Sequence, residues 1–554
     1  MSILTPSNPT PISNLRERVR SSALWAAYGD ALGFQTELAT SAQVRSRTGR
    51  FPVADTGPWT RRVGGRQGLT VALPAGCVSD DTQLRLAVCR SIGPRGFDAE
   101  LFAKVELTVW PSYALGAGRG TGVAAANLRR RDTSWATNFF HTSRATYVQG
   151  GGNGAAMRIQ PHVWSASPHG SVADLLAEVV VDAIVTHGHV RAIIGAGMHA
   201  LAVRRALARG HVGDPGDWRR DTAELMNLIE IVEDHDELGG LWLGMWRQRS
   251  GTEFGIAVMD CIEEVSRDID ALEAIEGDSL SGTYDSAVEA VGAFRAEQRG
   301  SGTKTALLGS YLAWRSNGDP REAMLVAANR IGTDTDSIAS MLGAVLGAAG
   351  APQPTGELAD RGYVVLEADR MAALRAGAEV ELFPYPDLRH WQVPRTQSDG
   401  LGELDGRFHL VGLGPVEPAG ELRSRGHDDS HGWQWVDLWF GQRVLAKRRV
   451  HPPMLTRSQV AMPSDAYTAT SLHDSPPAAS PLPHDHEIHV RRTAHPTRGI
   501  HELTSDAIRS GFDSELIGRH MLQLSESEQG VELSVAYAAI LAKALISRRE
   551  SRRR

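Results

Sequence analysis

Apolar residues recur at helical spacing through most of the first 380 positions and alternate like strands only beyond them. A polar, proline-containing arm covers residues 1–13. A helix is expected from Ser13 or Asn14 through Leu24, Trp25 and Ala27, ending at Gly29-Asp30-Ala31-Leu32-Gly33. Residues 45–76 are rich in Gly, Pro and Arg and read as loop. Val78-Ser79-Asp80-Asp81-Thr82 then opens a helix whose apolar positions are Leu84, Leu86, Ala87 and Ile92. Residues 97–148 read as helical with a break at Gly116–Gly122, and 172–208 as a helical hairpin turning at Thr186-His187-Gly188-His189. More helices are expected within 221–300, over 303–316 and 320–330, after Asp336, and over 360–378.

After about residue 383 the period changes. Phe408-His409-Leu410-Val411 and Trp433 to Trp439 alternate as strands do, with Phe440-Gly441-Gln442 as a turn into Arg443–Val450. The tryptophans Trp433, Trp435 and Trp439 read as core. Four parts are expected: an all-α helical bundle (1–382), a small β-rich module (383–450), a Pro/Ser/His-rich linker (451–500), and a helical C-terminal segment (501–554) with a basic tail.

Composition narrows the class. The chain has 554 residues, 42% hydrophobic and 22% charged, as in ordinary soluble globular proteins. A net charge of −7 gives no global attraction for nucleic acid, and a solvated tail is the plain reading of the terminal arginines. Cys77, Cys89 and Cys261 show neither metal nor disulfide spacing, which fits a reducing compartment. With no leader pattern at the N-terminus and no apolar run of membrane length, a cytoplasmic protein is expected.

Candidate chemistry sits where polar clusters open onto apolar helices. Asp334, Asp336 and Ser337 place hard oxygen donors at i, i+2 and i+3, ahead of the small residues Ala339, Ser340, Gly343, Ala344 and Gly347. Two carboxylates this close repel unless a cation lies between them, and Mg²⁺ prefers such oxygens. The plain alternative is an N-capped buried helix. Ser79, Asp80 and Asp81 form a second cluster far upstream, and a single N-cap explains only one of its acids. Gly150-Gly151-Gly152-Asn153-Gly154 with Met157 and Arg158 can bring backbone N–H groups to a phosphate. His187, in a turn, is either a cap or a substrate contact.

Taken in order, G-D-A-L-G with Glu37, S-D-D-T, G-N-G-A-A-M-R and D-T-D-S-I-A resemble the ADP-ribosylglycohydrolase family, the DraG-like hydrolases, over about residues 16–380. The resemblance implies an orthogonal helical bundle with two Mg²⁺ ions, or Mn²⁺ in their place, held by Ser79, Asp80, Asp81, Asp334, Asp336 and Ser337. It implies cleavage of the bond joining ADP-ribose to an acceptor, foremost arginine on an ADP-ribosylated protein. Asp81 and Glu37 would be catalytic, and Gly150–Gly154, Met157, Arg158 and His187 would hold the substrate. Thr333 stands where the family has a second glycine. The alternatives are a non-catalytic module binding ADP-ribose or a toxin, and a hydrolase of nucleic-acid-linked ADP-ribose. Residues 383–554 match nothing in the family and are expected to recruit a target or join subunits.

Overall fold

The computed structural model describes residues 14–65, 68–424, 430–463, 467, 499–527 and 529–551. The N-terminal arm, most of the expected linker and the last arginines lie outside the described residues. The fold is a helical bundle carrying a small antiparallel sheet and a helical C-terminal segment. The helices that bear on the site are α1 (Leu15–Gly33), α2 (Ser41–Thr48), α3 (Asp80–Ser91), α4 (Val172–Thr186), α5 (Val190–Arg209), α6 (Gly302–Arg315), α7 (Thr335–Ala348) and α8 (Arg361–Arg375).

At the centre α1 lies against α7. Both are nearly wholly buried, and glycine sets their separation. A Cβ on Gly29 would fall onto the Ala339 carbonyl, and one on Gly33 onto Thr335. From the other side, Gly343 faces the Trp25 carbonyl and Gly347 that of Ser21. The two backbones touch at all four positions, so no side chain larger than hydrogen fits. Polar bonds fix the register: Ser22 Oγ donates to Ala344 O at 2.8 Å, and Thr335 Oγ1 to Gly33 O at 2.9 Å.

Residues 45–76 are more ordered than their composition suggested. After α2 comes a β-hairpin, β1 (Trp59–Val63) and β2 (Leu69–Leu73), with Trp59 opposite Leu73 and Val63 opposite Leu69. The alternation Trp59, Arg61, Val63 and Leu69, Val71, Leu73 around Gly64-Gly65 was the available signal. Of the helical stretch expected over 97–148, the last α-helix is Arg119–Leu128, which begins inside the expected break at Gly116–Gly122. The helical hairpin is as expected, α4 leading through His187–His189 into α5.

The sheet is a five-stranded antiparallel meander: β3 (Leu401–Leu404), β4 (Arg407–Leu410), β5 (Gly414–Pro418), β6 (His431–Leu438) and β7 (Arg443–Arg449). Its apolar face continues the core of the bundle. The join includes a buried charge pair: Arg90 grips Glu106 through Nε at 2.7 Å and Nη2 at 2.8 Å, and its Nη1 reaches Tyr363 and Gln442, each at 3.1 Å. The fully buried positions of β6 are Gly432, Gln434, Val436 and Leu438, so Trp433 and Trp435 are not central core. They lie half-buried on the opposite face, in a small cluster with Phe34, Trp59, Val71, Leu115 and Leu445. The sheet and the hairpin β1–β2 thereby share one apolar contact beside the end of α1. The final helices are Ile500–Arg509, Ser514–Ser525 and Gly530–Ser551. Contrary to the expectation of no membrane-length run, Gly530–Arg548 is long and apolar enough to span one, and half of that window is buried in the protein.

A second buried network supports the glycine loop. Arg158 donates through Nε to Asp182 Oδ1 at 2.9 Å and through Nη1 to Gly154 O at 2.7 Å. His162 bridges Asp182 at 3.1 Å and Glu178 at 3.2 Å, one carboxylate on each ring nitrogen. Burial alone would lower the His162 pKa, but the bonds to Asp182 and Glu178 outweigh it and raise it to about 9.

Two tests follow from this packing. Gly343→Ala drives a methyl into the α1 backbone and is expected to cost about 1–3 kcal/mol, read as a lower urea midpoint at constant m. Gly362→Ala, whose added Cβ meets nothing within 4 Å, stays within about 1 kcal/mol of the parent or above it. Because the folded pKa of His162 lies above its unfolded value near 6.5, its stabilisation is full below pH ~6.5 and fades toward pH 9. His162→Gln is expected to remove that slope, about 3 kcal/mol over the window, in stability measured against pH.

Candidate active site

The acidic clusters meet at the N-termini of α3 and α7. Asp30, fully buried on α1, accepts from the backbone N–H of Ser79 at 3.0 Å and of Thr82 at 3.0 Å, and so fixes how α3 begins. Ser79 caps α3, its hydroxyl accepting from Asp81 N at 3.2 Å. On α7, Asp334 occupies the N-cap position without capping, so its carboxylate is turned elsewhere. Ser337 Oγ donates to Asp81 Oδ2 at 3.2 Å, a direct bond between clusters 256 residues apart. The other Asp81 oxygen, Oδ1, is buried with no hydrogen-bond partner.

The remaining acids close around this pair. Asp80 accepts from Gly118 N at 3.4 Å, and Gly116, at φ +89°, leaves room for it, since a Cβ there would sit 2.9 Å from Asp80 Oδ1. Asp334 Oδ2 accepts from Asn153 Nδ2 at 3.2 Å. Glu37, just past α1, pairs with Arg61 at 3.2 Å. Burial raises the pKa of Asp80, Asp81 and Asp336 well above the ordinary range, and the neighbouring carboxylates push the same way. Glu37 is raised by burial and Asp334, with Arg61 opposing. Arg85, on α3, is the cation behind the cluster. It donates to Gln160 Oε1 at 3.0 Å, to Met157 O at 3.2 Å and to Ser340 Oγ, tying α3, the glycine loop and α7 together.

The glycine loop forms the facing wall. Asn153 N donates to Gly300 O at 2.7 Å and Gly302 N to Gly151 O at 2.9 Å, which pins the loop to the start of α6. Gly154 lies on His187, where a Cβ would come 2.8 Å from the ring. His187 is neutral, its pKa lowered to about 3 by burial and then by Arg158. Its Nδ1 meets Thr186 Oγ1 at 2.7 Å.

These elements enclose a cleft of about 720 Å³. Asp80, Asp81, Asp334, Asp336, Ser337, Glu37, Gly150 to Gly154, Met157 and His187 all line it, and so do Arg144 and Arg191. Two expected site residues take other places. Arg158 is wholly buried and held by Asp182, so it supports the loop from behind instead of meeting a ligand. Ser79 is buried in its capping role. Asp30 and Arg85, which position the acids, are not among the expected site residues. The motif G-D-A-L-G carried the signal for the first, since a buried acid between two helix-packing glycines needs donors.

No three His, Cys, Asp or Glu side chains among the described residues already stand at the spacing of a metal site. The donor chemistry nevertheless suits a hard divalent cation: four carboxylates and the Ser337 hydroxyl converge on one cleft, with Asp81 Oδ1 buried and partnerless.

Among solved structures, one described as an ADP-ribosylglycohydrolase-related protein complex is 19% identical, with 66% of this chain and 100% of that chain covered at a TM-score of 0.41. No curated protein matches the chain. The model of the ADP-ribosylglycohydrolase family matches residues 11–353, more than half of the sequence, from α1 through both acidic clusters to the end of α7. On that match the chain belongs to the ADP-ribosylglycohydrolase family.

Proposed function

We propose that the chain hydrolyses the glycosidic bond between ADP-ribose and an acceptor, using two Mg²⁺ ions held by Asp80, Asp81, Asp334, Asp336 and Ser337, with Mn²⁺ as a substitute. The observation that carries this reading is the Asp81 carboxylate. One oxygen is engaged by Ser337, and the other is buried, unbonded and surrounded by like charge. Carboxylates in that state need either protons or cations. Bound there, the cations would neutralise the acids, hold the ribose hydroxyls and lower the pKa of a water.

The chain's own groups do the rest. Asp81 takes the proton of the attacking water as its oxygen bonds to the anomeric carbon. The bond from that carbon to the acceptor breaks, and the acceptor atom leaves with a proton. In this reading the backbone N–H groups of Gly150, Gly151, Gly152 and Gly154, with Arg144 and Arg191 nearby, meet the diphosphate while the Asn153 N–H stays on Gly300 O, so binding energy far from the reacting carbon holds it in place. Asn153 belongs to the loop and also bonds Asp334, so substrate and acidic cluster are set by one residue. Glu37, restrained by Arg61, stands at the boundary of the cleft on the acceptor side and is the second candidate for proton transfer. Family resemblance favours protein arginine as acceptor, and the surface beyond Glu37 bears on that choice.

Asp81→Asn and Asp336→Asn are each expected to lower kcat at least about 100-fold, in an assay of free ADP-ribose released from labelled conjugates. EDTA is expected to abolish release, and calorimetric titration with Mg²⁺ to show binding that Asp336→Asn weakens. Full turnover in EDTA, or by Asp81→Asn in excess Mg²⁺, would contradict the assignment.

A further inference from the structure

The acidic cleft does not stop at Glu37. It runs into a second groove of about 580 Å³, and Glu37, Leu38, Gly116 and Ala117 line both. The walls of this groove come from the hairpin β1–β2, the segment 108–129 and the sheet. Its charged side chains are four cations, Arg61, Arg62, Arg129 and Lys447, and one carboxylate, Glu37. Arg61 stacks on Phe34 at 4.2 Å and gives Nη2 to Glu37, while its Nη1 is buried without a partner. Arg129 hydrogen-bonds the carbonyl oxygens of Pro394 and Arg395, neither of which offsets its charge. Lys447 pairs across the strands with Trp433 and lies 5.4 Å over its ring. Leu115, Leu445 and Trp433 supply an apolar floor beneath this basic rim.

With the diphosphate against the glycine loop, as in the hydrolase reading above, the Glu37 end of the cleft is left for the acceptor. A guanidinium acceptor would enter a groove already crowded with positive charge, so arginine is disfavoured there. A carboxylate-rich peptide answers the rim but offers nothing to the floor. A nucleotide answers both, with its base on the apolar floor and its phosphates on guanidinium forks. The negative charge of the whole chain does not oppose this, since the field of a narrow groove is set by its own lining.

We propose that this groove is the acceptor site and that it takes single-stranded nucleic acid, so that the bond cleaved joins ADP-ribose to a nucleotide. The proposal rests on the hydrolase reading above. Water supplies the hydroxyl retained by the ribose anomeric carbon, and the nucleotide atom that leaves takes up the proton.

The test uses the full chain with Mg²⁺ and three labelled substrates: an ADP-ribosylated single-stranded oligonucleotide, an ADP-ribosyl-arginine peptide and an ADP-ribosylated acidic peptide. The oligonucleotide is expected to have the highest kcat/KM. Its KM should rise on the order of tenfold between about 50 and about 200 mM salt. Lys447→Glu is expected to raise the oligonucleotide KM about tenfold relative to the arginine peptide, and Lys447→Arg to restore it. A preference for either peptide, or a Lys447→Glu effect equal on all three substrates, would overturn the proposal. Fluorescence anisotropy with an unmodified oligonucleotide separates the two readings. Salt-sensitive binding weakened by Lys447→Glu supports the groove even if no substrate is hydrolysed, whereas absent binding together with turnover of the arginine peptide rejects the groove and keeps the hydrolase.

Discussion

The approach of α1 to α7 is the constraint on which the rest of the structure depends. Four glycines let two backbones meet without intervening side chains, and the helices are thereby held closer than ordinary packing permits. That closeness brings Asp30 at the end of one helix to the start of α3, and Asp336 at the start of the other to the same point. Thr36 and Thr335 lock the ends together at 3.0 Å. A larger residue at any of the four positions would move one acidic cluster relative to the other, and the cleft would lose its shape before it lost a single ligand.

Electrostatics works against the same arrangement. Six carboxylates, those of Glu37, Asp80, Asp81, Glu297, Asp334 and Asp336, line one cleft, and burial with mutual repulsion pushes Asp80, Asp81 and Asp336 toward their neutral forms. The fold tolerates this through rigid supports outside the cleft. Asp30 satisfies helix-end amides, Arg85 places a positive charge behind the acids, and the Arg158–Asp182–His162 network fixes the loop opposite. Each support is itself buried, so each is costly to break.

The sheet contributes at the boundary of the site. Its apolar face completes the core of the bundle through Leu401, Leu410, Val436 and Val444, with Gln442 bonded to the buried Arg90, while its other face, with Trp433 and Lys447, reaches the hairpin beside Glu37. The segment after residue 383 lies outside the family match and yet forms one wall of the groove that continues the cleft. A part of the chain without counterpart in the motif set is thus placed where acceptor chemistry would be read.

The helical bundle, a β-rich module after residue 383, the two acidic clusters and the glycine loop were legible from periodicity and from polar residues opening apolar runs, because those signals are local; the strands Leu401–Leu404 and Gly414–Pro418 were not. The hairpin at Trp59–Leu73 was obscured by a Gly- and Arg-rich composition that its short alternation did not outweigh. The part played by each side chain was not legible. Arg158 stands in the loop motif yet faces inward, because Asp182, 24 residues on, offers it a buried partner. Asp30 and Arg85 gain their importance only from what folds beside them. Residue type and spacing determine which groups are capable of the chemistry; long-range packing, here glycine against backbone, decides which oxygen is left without a partner and which direction it faces.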